Sequence, residues 1–339
     1  MTEPTVIAHR AGRAGWITLN RPAALNALDL DMIGACARAL EQWRADPGVH
    51  LVVIAGAGGR AFCAGGDVRA VRANSLAGRH DLVELFFATE YRLNRTIAEY
   101  PKPIVSLIDG ICMGGGIGVS VHGTARVVSE HATLAMPETA IALFPDVGTS
   151  HVLPRLPGRI GTWLALTGAR LDGPGAVHAG LATHYVPRAG FADLAEALGH
   201  DGMAALGPRA VSPPPSSITE HRGEIDAVFG LGSIGEMVAA LAARDSDFAV
   251  AARAALAAAS PSSLVWSLAL LRAGEGRTLA QCLAAELAAT RIVTRHADFI
   301  EGVRAMVVDK DRAPRWSPGS VAEVDPAIVA AIAAEPTPG

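Results

Sequence analysis

Two carboxylates, Glu138 and Asp146, stand eight positions apart in the otherwise apolar stretch MPETAIALFPDVG. Carboxylates are rarely left in such company without a partner or a task. Such a pair can exchange protons with a substrate, or one member can attack an electrophile directly. Shortly upstream, the glycines Gly114, Gly115 and Gly116 are followed by Gly118. Glycines let a ligand come close to the main chain, and the first N–H groups of a helix are free to bind an anion. One segment therefore offers an anion-stabilising turn and two candidate acids.

The elements that would carry these groups can be read from the same segment. Ile104 to Ile108 is a short apolar run after a proline-rich lead-in, which predicts a buried strand. A turn and a helix start follow. Close packing of helix on sheet would account for the glycines equally well. A dinucleotide fingerprint is not matched, because Val121 stands where the third glycine belongs. A nucleophile elbow around Ser120 fails at its last place, which holds His122. The run from Ile104 to Gly123 is apolar enough for a membrane span, but Asp109, His122 and the glycines oppose that.

Strands are expected at Val6–Ala8 and Trp16–Leu19 about a turn at Gly12, and again at Leu51–Ala55. Asp29 should cap a helix whose apolar face carries Leu30, Ile33, Ala37 and Leu40. The loop GAGGRAFCAGGDVRAV holds five glycines, so its backbone must bend sharply or face a ligand; Asp67 within it serves equally as a helix cap. Asp81 to Ala98 reads as an amphipathic helix with Glu90 on it, and a mid-helix Glu is most often solvated. A helix at Ile160–Leu166, another from Asp172 or Gly173, and a strand at Thr183–Val186 complete an α/β alternation with a largely parallel sheet. The expected organisation is a core over 1–200, a Pro-rich linker over 201–223, and a helical region over 224–339 with a frayed tail from Ile328. Within the helical region, Leu279–Phe299 reads as one helix.

With 339 residues, half of them hydrophobic and only 18% charged, the chain can bury a large core. A net charge of −4 and no basic stripe argue against nucleic acid as a partner. The four cysteines form no CxxC pair, and no His cluster has metal-ligand spacing, so no metal or separate cofactor is expected. The start, MTEPTVIAHR, has no basic-then-apolar secretion signal. Reduced thiols in a cytoplasmic protein, with no membrane attachment, are the expectation.

ITLNRPAALNAL, AFCAGGD, PKPIVSLIDGICMGGGIG and MPETAIALFPDVG lie in one chain in this order. In order and spacing they resemble the crotonase superfamily, the enoyl-CoA hydratases and isomerases. GGGIGVSVHG, PETAIALFPDVG and HADFIEGVRAMVVDKDRAPRWSP resemble its 3-hydroxyisobutyryl-CoA hydrolase branch. The likeness covers roughly Ile17 to Val324. It implies a spiral core of repeated ββα units with a helical C-terminal region. It also implies an acyl-CoA thioester substrate, short and hydroxylated, and a place in valine breakdown. By motif position, the amides of Gly66 and Gly115 would form an oxyanion hole. Ala24, Leu25, Ala64, Gly65 and Asp67 would border the CoA, and Glu90, Gly115, Glu138 and Asp146 would contact the acyl part.

Thioester hydrolysis puts negative charge on the former carbonyl oxygen, and two fixed N–H donors would stabilise it. Glu138 is the candidate to attack the thioester or to activate water, and Asp146 to orient the substrate hydroxyl or move a proton. If the acids share an apolar site, their titrations should interact. Hydratases carry a first glutamate where this chain has Gly118, so hydration by the usual acid pair is not expected. A hydratase or isomerase with relocated acids, and a non-catalytic acyl-CoA binder, are the competing readings. Trimers are common in the superfamily, yet the C-terminal extension could cover that surface within one chain.

Overall fold

The structure is a computed structural model that describes residues 3–334. The chain divides into two compact units. The first holds residues 1–66, 92–135 and 170–219, and the second holds 67–91, 136–169 and 220–339. The boundary therefore falls inside the stretch 1–200 that sequence treats as one core. Segments distant in sequence share each unit, and linear composition does not record that.

The first unit carries the strands β1 (Val6–Ala11), β2 (Ala14–Leu19), β3 (Leu51–Gly56), β4 (Ala61–Cys63), β5 (Ile104–Ile108), β6 (Ile111–Met113), β7 (Ala125–Val128), β8 (Thr133–Ala135), β9 (Leu171–Asp172) and β10 (His184–Tyr185). One sheet runs β1-β2-β3-β5-β7-β10, and only the β1–β2 pair in it is antiparallel. β1 and β2 form a hairpin that pairs Val6 with Leu19 and Ala11 with Ala14 across the Gly12 turn. β3 is an unbroken apolar run and β5 is apolar except for the buried Ser106, as expected for parallel strands covered on both faces. Leu51, Val53, Val105, Leu107 and Val127 of this sheet pack with Leu194 and Leu198 of the helix Phe191–Asp201. The helix Leu30–Arg44 is capped by Asp29, which accepts from Met32 N at 2.9 Å. Its buried stripe runs through Ile33 and Leu40 as predicted, together with Met32, Cys36, Ala39 and Trp43.

A second sheet, β4-β6-β8-β9, has strands of two or three residues. Strands this short show no period, so the sequence carries no sign of them. They bring the loop after β4 beside the turn after β6.

The second unit is helical. Among its helices are Val68–Leu76, Ile160–Thr167, Pro261–Gly274, Leu279–Val293 and Ala297–Val303. The single helix expected over Leu279–Phe299 is broken at Thr294–His296. The His296 ring nitrogen accepts from Asp298 N at 3.2 Å and starts the next helix. The distinctive motif around it is an internal staple. Asp298 accepts from Ser260 Oγ and Ser317 N, and Arg304 reaches Glu301, Asp309 and Asp311. The Arg304 guanidinium holds the Glu301 carboxyl down at about 2. Arg69 and Arg72 tie the helix Val68–Leu76 to this staple by donating to Val307 O and Ile300 O at 2.8 Å each.

Instead of a frayed segment from Ile328, a helix spans Pro326–Ala333, with Asp325 as its cap and Ile332 buried. The remaining tail residues, 335–339, lie outside the described residues. Of the expected linker, residues 202–209 are helical turns, and the irregular stretch is 210–216. Among the described residues no single helix is long and apolar enough to cross a membrane. The apolar run Ile104–Gly123 is instead β5, β6 and a short helix.

Candidate active site

The glycine turn in the first unit follows β6. Gly114 takes φ +48° and ψ −119°, a conformation hostile to side chains. It donates to Ala135 O at 3.3 Å, and the fully buried helix Gly115–Val121 then begins. As the first residue of that helix, Gly115 has an N–H for which the helix offers no acceptor. A Cβ on Gly116 would lie 2.3 Å from Cys63 O. Close approach of the β4 backbone therefore demands glycine there.

The loop after β4 lies against this turn. Gly65 takes φ +116°, and a Cβ on it would sit 3.4 Å from Met113 O and 3.7 Å from Gly115 N. Gly66 is bridged to Leu28, whose N–H donates to Gly65 O at 2.8 Å, and Ala64 N donates to Leu25 O at 3.0 Å. Leu25 and Asn26 are both left-handed, at φ 51° and 58°. The buried Asn26 side chain fixes that bend, donating to Ala57 O and Ala61 O and accepting from Arg21 N. Ala24, Leu25, Ala64, Gly65, Gly66 and Gly115 thus come together within the first unit. Asp67, in the second unit, caps the helix Val68–Leu76 by accepting from Ala70 N at 3.2 Å, which is the bland alternative for it.

The acids gather in the second unit. Glu138 opens a 3₁₀ turn, Glu138–Ile141, that ends at Ala142 with φ +52°. Ser260 N donates to Thr139 O at 3.1 Å and Ser263 Oγ donates to Leu143 O, so the helix Pro261–Gly274 holds this loop. Glu138, Asp146 and Glu90 are 5%, 4% and 2% exposed. Asp146 Oδ2 accepts from the Tyr91 hydroxyl at 2.8 Å. Among the described residues, Glu138 Oε2 and Glu90 Oε1 have no hydrogen-bond partner. Unsatisfied buried carboxyl oxygens are costly, and these are free to engage a ligand.

Burial pushes all three carboxyls up, and the Asp146 charge adds to it for Glu138 and Glu90. Asp146 rises to about 6, chiefly through burial, with the Tyr91 hydrogen bond opposing. Glu138 and Glu90 are raised well above the carboxylate range, by burial first and by the Asp146 charge second. Asp146 therefore ionises first, and Glu138 and Glu90 hold their protons longer. Such a cluster can pass one proton among its members.

Glu90 was the weakest of the acids by pattern, since a mid-helix glutamate is most often solvated, yet it is as buried as the others. Tyr91 and Glu286 were not anticipated at all. Tyr91, one of three tyrosines in the chain, follows Glu90 directly in sequence, and that adjacency was the available signal. Glu286 comes from the helix Leu279–Val293 and is fully buried. It accepts from Gly148 N and Ser150 N at 2.7 and 3.1 Å and from Ser150 Oγ. Burial lifts it to about 8. Its only sequence signal is an acid within an alanine- and leucine-rich helix. Among the described residues no group of His, Cys, Asp and Glu could hold a metal ion.

These features agree with the comparisons to known proteins. Residues 14–333 match the family model described as enoyl-CoA hydratase/isomerase. The chain is 43% identical over 333 residues to the 3-hydroxyisobutyryl-CoA hydrolase, mitochondrial, of Xenopus tropicalis, covering 93% of this chain and 85% of that protein. The Homo sapiens protein of the same name is 41% identical over 331 residues, covering 94% and 86%. Among solved structures, an enoyl-CoA hydratase from Rhodobacter sphaeroides 2.4.1 superposes with a TM-score of 0.93 at 44% identity, over 98% of both chains. A carnitinyl-CoA dehydratase from Mycobacterium thermoresistibile gives 0.94 at 39%, over 99% of both. A family match spanning nearly the whole chain, with close likeness in both sequence and fold, means that this protein belongs to the enoyl-CoA hydratase/isomerase family.

Proposed function

We propose that this chain hydrolyses 3-hydroxyisobutyryl-CoA to 3-hydroxyisobutyrate and CoA. The observation that carries the reading is the buried acid set. Glu138 and Asp146 stand in one cluster with Glu90, whereas Gly118 occupies the place of the first hydratase glutamate. Relatives named 3-hydroxyisobutyryl-CoA hydrolase, at 41–43% identity, support the substrate.

In this reading the thioester oxygen accepts hydrogen bonds from the amides of Gly66 and Gly115, which stabilise it as charge develops. Ala24, Leu25, Ala64, Gly65 and Asp67 border the CoA. Glu90 and Asp146 engage the hydroxyacyl part. Attack needs the Glu138 carboxylate, so its proton first passes to Asp146, the acid that ionises earlier. Glu138 then adds to the thioester carbon and the C–S bond breaks. The leaving thiolate takes the proton from Asp146, giving free CoA and a mixed anhydride on Glu138. Water opens the anhydride, giving one proton to the Asp146 carboxylate and the other to Glu138; the product leaves as a carboxylate, and Asp146 returns its proton to solvent to restore the starting state. CoA enters as part of the substrate, and no separate cofactor takes part. The reading carries with it a role in valine breakdown and a reducing compartment, the cytoplasm, consistent with four buried free cysteines.

Thiol release tests it. Release of free CoA from 3-hydroxyisobutyryl-CoA, faster than from acyl-CoAs without the hydroxyl, is the expected result. The names of the two solved structures favour hydration as the second reading; crotonyl-CoA hydration without thiol release would establish it instead.

A further inference from the structure

The Glu286 carboxyl is 0% exposed, and every hydrogen bond it makes goes to the turn just after Asp146. A carboxyl is an expensive way to fill a helix–loop contact, since burial must be offset by hydrogen bonds that an apolar side chain would not need. What this one gains is a particular backbone shape. Val147 takes φ +55° and Gly148 φ +81°, two left-handed residues in succession. For a β-branched residue that conformation is an outlier that persists only when the surroundings over-determine it. The shape aims the N–H groups of Gly148 and Ser150 at the two Glu286 oxygens. Without an acceptor, both would be buried donors lacking partners.

We propose that Glu286 is a positioning residue for Asp146, fixing its backbone through the Val147–Ser150 turn; this rests on the hydrolase reading of the site. Asp146 is then held at two points. Thr149 N and Thr149 Oγ1 donate to its carbonyl from within the Glu286-bound turn, at 2.9 and 2.7 Å. Tyr91 holds its carboxyl. If the turn relaxes, Val147 leaves its strained conformation and the Asp146 side chain swings, with Tyr91 alone retaining it. The C-terminal helical region, through this one side chain, thereby sets the aim of the acid.

Glu286→Gln is the direct test, because the amide keeps an acceptor for Ser150 but turns an NH₂ toward the Gly148 N–H. The expected result is a fall in kcat for hydroxyacyl-CoA hydrolysis of about tenfold or more, with KM and the Kd for free CoA within about threefold, as for a misaimed group rather than a lost binding contact. Faster amide exchange at Gly148 should accompany it. Ser150→Ala, which removes one donor, should lower kcat in the same direction by a smaller factor. A folded Glu286→Gln enzyme with unchanged kcat overturns the proposal. If that variant does not fold, unchanged kcat in Ser150→Ala overturns it. A wild-type protein that releases no thiol overturns the hydrolase reading instead, and amide exchange at Gly148 in Glu286→Gln then still decides whether Glu286 holds the turn.

Discussion

Tyr91 donates a hydrogen bond across 2.8 Å to Oδ2 of Asp146, and both side chains are buried. The bond favours the Asp146 carboxylate, while burial disfavours it more strongly. Tyr91→Phe therefore raises the pKa of Asp146 above its present value of about 6. The acid limb of the pH–rate profile should move to higher pH, and kcat at neutral pH should fall by roughly tenfold. Loss of one buried hydrogen bond should cost about 1 kcal/mol of stability, read by urea denaturation. An acid limb that stays in place would remove Tyr91 from this role.

Stability itself should depend on pH with a definite sign. Asp146, at about 6, and Glu286, at about 8, are both held protonated by the fold beyond their ordinary range. Groups raised in this way stabilise fully below their unfolded pKa, near 4, and the contribution is lost as pH rises through the folded values. The melting temperature should decline between about pH 4 and about pH 8 from this source, and Glu286→Gln should flatten the upper part of that decline. A melting temperature rising through the same window would contradict the assignment.

The two adjacent glycines Gly115 and Gly116 should fail in different ways. Gly116→Ala places a methyl 2.3 Å from Cys63 O, so the chain must shift, at roughly 1–3 kcal/mol or more. Gly115→Val sets a side chain at the amide proposed to face the thioester oxygen, and thiol release should fall by about a hundredfold or more. Urea melts and thiol assays on both variants separate the effects. Unchanged kinetics in Gly115→Val would move the oxyanion hole elsewhere.

The long elements were legible because they have a period. Asp29 caps its helix, β3 and β5 are the apolar runs they read as, and the sheet is largely parallel. The short sheet was hidden, since strands such as Ala61–Cys63 are too brief to alternate. The break at Thr294–His296 was hidden because a histidine cap is an uncommon helix start. Glu138 and Asp146 stood out as acids in an apolar stretch, and the structure gathers them with Glu90. Tyr91 and Glu286 escaped notice because their meaning lies in contacts across 55 and 138 residues of sequence. No local pattern encodes such pairings.

Release of CoA thiol from 3-hydroxyisobutyryl-CoA by the wild-type chain and by Glu138→Gln tests the central claim most directly. Hydrolysis by the wild type, with turnover abolished in Glu138→Gln while free CoA still binds, is the predicted result. Near-normal thiol release by Glu138→Gln would contradict it.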